Sequence, residues 1–115
     1  MRLSAVLLLL GLKLRWSAWR HSDFRKRLKR VNRVIVIRTE DGRRARSYVF
    51  RNDTVRDHGG MDPDATAEMV WSDPDTAVRA MLSSNPLDLF SAIGRGDMAI
   101  QGNLQDALWF SEIAA

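Results

Sequence analysis

LFSAIGRGDMAIQGNLQDALWF, residues 89–110, decides how this chain folds, because it reads as helix, tight turn, strand, tight turn, helix. Just upstream, Asn85 is an N-cap residue type, Pro86 suits the first helical position, and Asp88 falls three residues after the cap, where free backbone N–H groups await a carboxylate. Leu89, Phe90 and Ile93 give the helix its apolar stripe, and Gly94 is placed to end it in a left-handed turn. Gly96-Asp97 turns into Met98-Ala99-Ile100, a short strand with Met98 and Ile100 on one face and Asp97, Ala99 and Gln101 on the other. Gly102-Asn103 turns again and Asn103 caps a second helix. Leu104, Ala107, Leu108, Trp109 and Phe110 make that helix apolar over more than half its circumference, so it must be covered on two sides.

Outward from there, the middle of the chain reads as strands. Val34-Ile35-Val36-Ile37 is β-branched throughout and suits a strand buried on both faces. Thr39-Glu40-Asp41-Gly42 is a hairpin turn, with Asp-Gly supplying the positive φ it needs. The return strand, residues 44–51, sets Ala45, Ser47 and Val49 against Arg44, Arg46, Tyr48 and Phe50. Its second face is therefore apolar at one end and cationic at the other. Asn52-Asp53 turns into a short third strand, Thr54-Val55-Arg56, completing a meander. Residues 58–64, HGGMDPD, form a polar glycine-rich loop. Residues 65–71 read as a strand with Ala67, Met69 and Trp71 on one face. Ser72 and Asp75 then open a helix through Leu82.

The first thirty residues have a different character. An apolar run over residues 3–12 is too short to span a bilayer, which takes about 20 apolar residues. It also makes a poor secretory signal, because Lys13, Arg15, Trp16 and Trp19 follow it with no small-x-small pair at a suitable position. As a helix it carries Leu3, Leu7, Leu10 and Leu14 on one side and Leu8, Leu12, Trp16 and Trp19 on nearly the opposite side. One core contact does not cover both faces. A membrane interface, a second subunit or a deep groove in the domain would cover the second.

The net charge of +4 over 115 residues conceals a gradient. Residues 1–33 carry ten basic side chains against one acid, whereas residues 61–115 carry two against nine acids. Indoles followed by Arg20, Arg25, Lys26, Arg27, Lys29, Arg30 and Arg33 suit a helix at a head-group boundary. The same residues also fit a core stripe with a solvated basic face. Nucleic acid is a third partner for such a charge, but few aromatics stand beside it and no nucleic-acid motif is present, so that reading ranks last.

Catalytic chemistry finds no residues. The chain holds no phosphate-binding glycine loop, dinucleotide fingerprint, Ser/His/Asp or Cys/His set, and no metal cluster. His58 with Asp62 and Asp64 is ordinary loop chemistry, His21 has no visible partner, and the acids around Pro74 belong to a helix start. No cofactor, metal or enzymatic activity is expected. With no cysteine there is no disulfide framework, which fits a reducing, cytoplasmic setting.

The 85–110 stretch resembles the end of the sterol carrier protein domain family, of sterol-binding or non-specific lipid-transfer type, in a small bacterial-like form. That family closes with an apolar helix, a Gly, a short alternating strand, a second Gly followed by an acid, and an apolar helix. Phe90 and Ile93, Gly96, Met98 and Ile100, Gly102, and Leu104 with Leu108 fall on the pattern. Asn103 stands where the family usually has Asp, keeping the capping role without the charge. Element order extends the resemblance over residues 33–113. Two features depart from the pattern: the chain is short for the domain, and the N-terminal helix is unusually apolar.

The resemblance implies an α+β fold, a mainly antiparallel sheet of about five strands covered by helices, with residues 1–30 as a long N-terminal helix and 31–115 as the sterol-carrier-like domain. It implies a non-catalytic carrier of a fatty acyl, sterol-like or isoprenoid ligand. Bacterial relatives also serve as accessory lipid-binding domains in larger systems, quinone biosynthesis among them. Phe50, Met69, Trp71, Phe90, Met98, Ile100, Leu108 and Trp109 are the apolar residues expected to line a cavity between sheet and helices. Leu7, Leu10, Trp16, Trp19, Arg25, Lys26 and Arg27 are expected to meet an anionic membrane, on the inner membrane face, or a partner. The alternative is an interaction module whose core is filled and whose N-terminal helix forms a homodimer.

Overall fold

Val34-Ile35-Val36-Ile37 forms the centre of β1 (Asn32–Thr39), and all four side chains are buried, two on each face. The computed structural model describes residues 2–29, 31–51, 54–82 and 87–114. β2 (Ala45–Arg51) returns antiparallel through the Asp41-Gly42 turn, where Gly42 takes φ 73° and Thr39 Oγ1 donates to Asp41 Oδ1 at 2.6 Å. β3 (Thr54–Gly59) pairs with β2, so the first three strands are the expected meander. β3 continues through His58 and Gly59, which the sequence places in a loop, because both still pair with β2.

Residues 60–66 then cross one sheet face. Ser47 Oγ donates to the Gly60 carbonyl at 2.8 Å and accepts from Asp62 N at 2.9 Å, and Thr66 N donates to the Val34 carbonyl at 2.8 Å. This crossing places β4 (Ala67–Trp71) beside β1 in parallel, the one parallel pair among the described residues. β5 (Met98–Gly102) pairs antiparallel with β4, giving the order β3-β2-β1-β4-β5. Gly102 is required where it stands: its φ is 83°, and a Cβ there would lie 2.6 Å from the Thr66 carbonyl oxygen.

The helices cover the other face. α1 (Arg2–Arg20) lies over β2 and β3 and against α3 (Pro74–Leu82). α4 (Leu87–Arg95) packs on α3 and β5, and α5 (Leu104–Ala114) packs over β1, β4 and β5. Asn103 caps α5 as expected, accepting from Asp106 N at 3.2 Å. The fold is thus α+β with a mostly antiparallel five-stranded sheet.

Several local readings shift. Residues 1–30 are not one helix: the backbone is extended at His21 (φ −110°, ψ 112°), and α2 (Ser22–Leu28) restarts beyond it, turning Leu28 into the core. α1 and α2 share one core with the sheet, since Leu3, Leu7, Leu14 and Leu28 cluster with Ile35, Tyr48 and Trp71. The cap of α3 is Asp73 and not Ser72, accepting from Thr76 N at 2.9 Å, which holds its carboxyl below the usual range. Ser72 donates instead to the Asp97 carbonyl. α4 runs past Gly94 and turns at Gly96, whose φ is 80°. The readings of Asn52-Asp53 as a turn and Asn85-Pro86 as a helix start lie outside the described residues.

Candidate functional site

Strand register gathers five of the eight expected cavity residues on the helix-covered sheet face. Trp71 pairs with Met98 and Met69 with Ile100 across β4 and β5, while Phe50 lies opposite Arg33 on β1. Phe50, Met69, Trp71 and Met98 are buried, Ile100 and Trp109 are half-buried against the same core, and Leu108 is half-buried. Phe90 departs from the expectation. It is 55% exposed, because α4 turns Ala92 inward and Ile93 partly inward, leaving Phe90 to solvent.

Side chains of the covering helices pack onto this face of the sheet. Leu3, Leu7 and Leu14 of α1, Ala77 and Val78 of α3, and Ala107, Phe110 and Ile113 of α5 occupy it. Aromatic rings interlock beneath α5: Phe50 meets Trp109 edge-to-face at 4.9 Å and Phe110 at 5.9 Å, and Phe110 lies 5.4 Å from Tyr48. An open concavity lies elsewhere, on the outside of α1 between Leu12, Lys13, Arg15 and Trp16.

Polar contacts seat α1. The Tyr48 hydroxyl donates to the Leu7 carbonyl at 2.6 Å in a buried setting, and burial pushes the Tyr48 phenol well above its ordinary range. The Asp57 carboxylate, fully buried, accepts from Arg46 Nε at 2.7 Å and lies 3.1 Å from Arg15 Nε. Leu7 is therefore core, not a surface contact as the sequence suggests, because the helix presents the 3-7-14 stripe to the sheet. Leu10 is half-buried.

The outer face of α1 keeps its apolar residues in solvent. Leu8, Leu9, Leu12, Trp16 and Trp19 are all exposed, Trp19 by 72%. Arg20 spans both indoles, 5.5 Å from the Trp16 ring and 5.9 Å from that of Trp19. Arg25, Lys26 and Arg27 follow on exposed turns of α2. Among the described residues, no helix is long and apolar enough to cross a membrane.

Residues the sequence reading missed stand at the opposite end of the inner face. Arg33 Nε lies 3.0 Å from Asp106 Oδ1, and the guanidinium carbon sits 4.5 Å over the Trp109 ring. In the sequence Arg33 reads as one more charge of a basic run. His58 pairs with Asp62 at 2.9 Å. That bond raises the His58 pKa and lowers that of Asp62. Among the described residues, no three His, Cys, Asp or Glu side chains come close enough to hold a metal ion.

No family model and no curated protein matches the chain. Solved structures do. A UbiJ–SCP2 ubiquinone synthesis protein superposes with a TM-score of 0.66 at 19% identity, over 90% of this chain and 84% of that one. Sterol carrier protein 2-like 3 from Aedes aegypti gives 0.54 at 18% identity, over 94% of this chain and 92% of its own. Apo sterol carrier protein 2 from Yarrowia lipolytica gives 0.53 at 20%, over 88% and 83%. A five-stranded sheet in this order, helices on one face and a closing helix-strand-helix unit together make this the sterol carrier protein fold.

Proposed function

We propose that the protein binds or carries an apolar lipid, fatty acyl, sterol-like or isoprenoid, between its helices and the inner sheet face, without catalysing a reaction. It does so while α1 and α2 rest on an anionic membrane surface at the cytoplasmic side. The observation that carries this reading is the outer face of α1, where five large apolar side chains stay in solvent beside a basic helix. Indoles and leucines at that position gain by entering the interfacial region, and the basic side chains meet anionic head groups. Among the described residues, helix side chains pack on the inner face, and a ligand enters there as a covering helix moves. α1 suits that role, since its outward face is the one a membrane would engage.

Extraction and mass spectrometry of protein purified without detergent, beside a delipidated control, tests the ligand. A stoichiometric lipid is expected. Finding none, with no uptake of a fluorescent fatty acid, rejects the carrier reading. Cosedimentation with vesicles containing phosphatidylglycerol tests the surface. At about 1 kcal/mol per basic residue, neutralising Arg25, Lys26 and Arg27 together weakens association about a hundredfold. Unchanged sedimentation rejects the membrane contact.

A second reading is favoured by the filled core: an interaction module that self-associates through α1. It predicts a concentration-dependent dimer abolished by Leu9→Asp with Leu12→Asp, both on the exposed face.

A further inference from the structure

Arg33 enters the inner sheet face opposite Phe50, at the rim of the aromatic cluster under α5. Its guanidinium is held on two sides, by Asp106 at 3.0 Å and by the Trp109 ring at 4.5 Å. Its Nη1 is buried and has no hydrogen-bond partner. The Arg33 side chain as a whole is 32% exposed while Nη1 is shielded, and a shielded donor left unfilled is costly. The Asp106 side chain is 12% exposed and that of Arg33 32%, and the two charges offset each other.

We propose that Arg33 Nη1 is the anchor for the polar end of the lipid, and that this end is an uncharged oxygen acceptor, a hydroxyl, ester or ketone oxygen. The inference rests on the lipid-binding reading above. The oxygen accepts from Nη1 while the apolar chain lies along Phe50 and Trp109. Asp106 sets the preference. It has already neutralised the guanidinium, so a ligand carboxylate would stand beside a second carboxylate with no spare positive charge. Trp109 holds the guanidinium plane and offers its ring to the chain.

The test compares chains that differ only at the head. 1-Hexadecanol, methyl palmitate and palmitate are competed at pH 8.5 against a pyrene-labelled hydrocarbon, using the full chain. Hexadecanol and the ester are expected to displace the probe at about tenfold lower concentration than palmitate. Arg33→Met should weaken hexadecanol about tenfold and leave the hydrocarbon probe nearly unchanged. Asp106→Asn should reverse the preference in favour of palmitate, which loss of packing alone would not do. If Asp106→Asn fails to fold, the wild-type head-group series and Arg33→Met decide. Palmitate binding as well as or better than hexadecanol in the wild type overturns the proposal, as does an Arg33→Met protein that loses all ligands and the probe alike. If the hydrocarbon probe itself does not bind, the lipid-binding reading falls and this inference with it. If the probe binds and head groups are not distinguished, only this inference falls.

Discussion

The Asp57 carboxylate lies directly beneath Gly11, where α1 meets β3, and a Cβ at position 11 would collide with it. Asp57 has little freedom to give way, because Arg46 and Arg15 grip it and its side chain is fully buried. One glycine therefore lets the helix approach a buried charge. That contact, with the Tyr48 bond to Leu7, fixes which stripe of α1 faces the sheet.

Gly11→Leu should destabilise the protein by about 1–2 kcal/mol, since an overpacking cost of about 2–3 kcal/mol outweighs the roughly 1 kcal/mol gained in helix propensity. Gly94 is the control: it lies inside α4 with open space around it, so Gly94→Ala should stabilise by about 0.5–1 kcal/mol. Urea denaturation reads both. A Gly11→Leu protein as stable as wild type would show that α1 does not seat here.

Asp57→Ala removes the shared partner of two cations, and Arg46 has only 22% of its side chain exposed. A loss of about 3 kcal/mol is expected, against less than about 1 kcal/mol for Arg15→Ala, whose side chain is 47% exposed. Equal effects from the two substitutions would contradict this ranking.

Tyr48→Phe deletes a buried hydroxyl and its bond to the Leu7 carbonyl. The expected cost is about 1–2 kcal/mol in chemical denaturation. Increased proteolysis near residue 7 should accompany it, because the bond ties α1 to β2.

His58 and Asp62 tie the crossing loop to β3. The raised His58 pKa stabilises the fold fully below its ordinary value of 6.5, and this contribution is lost as pH rises through the raised value. The lowered Asp62 pKa stabilises fully above 3.8 and is lost as pH falls through the lowered value. The difference in Tm between wild type and Asp62→Asn should therefore be largest near pH 5 and shrink toward pH 9. In an NMR titration of the His58 ring, Asp62→Asn should lower the midpoint. An unmoved midpoint would dismiss the pair.

Much of the fold was legible because it is written in local chemistry. The Asp41-Gly42 and Gly102-Asn103 turns, the buried β1 run and the alternation of Met98 and Ile100 each follow from short-range rules on φ, capping and period. The inner-face residues were legible for the same reason, since strand alternation puts Met69 with Trp71 and Met98 with Ile100. Phe90 was misread because the packing of α4 on α3 and β5 turns Ala92 and part of Ile93 inward, which leaves Phe90 at the edge of the apolar stripe. Arg33 was missed because its role depends on Asp106 and Trp109, which lie more than seventy positions away in the chain.

By itself, the sequence determined the order of helices and strands and several of the turns, that the class is α+β, and that an apolar helix with a basic continuation begins the chain. Only the tertiary structure decided that β4 runs parallel to β1, that Leu7 faces inward while Leu8, Leu9 and Leu12 stay in solvent, and that helices fill the sheet face. The reason is physical. Elements obey periodicities set by neighbouring residues, but an amphipathic surface apolar on two sides has no local preference for which side is buried. That choice is made by distant groups, Gly11 against Asp57 and Tyr48 against Leu7, which meet only once the sheet has formed.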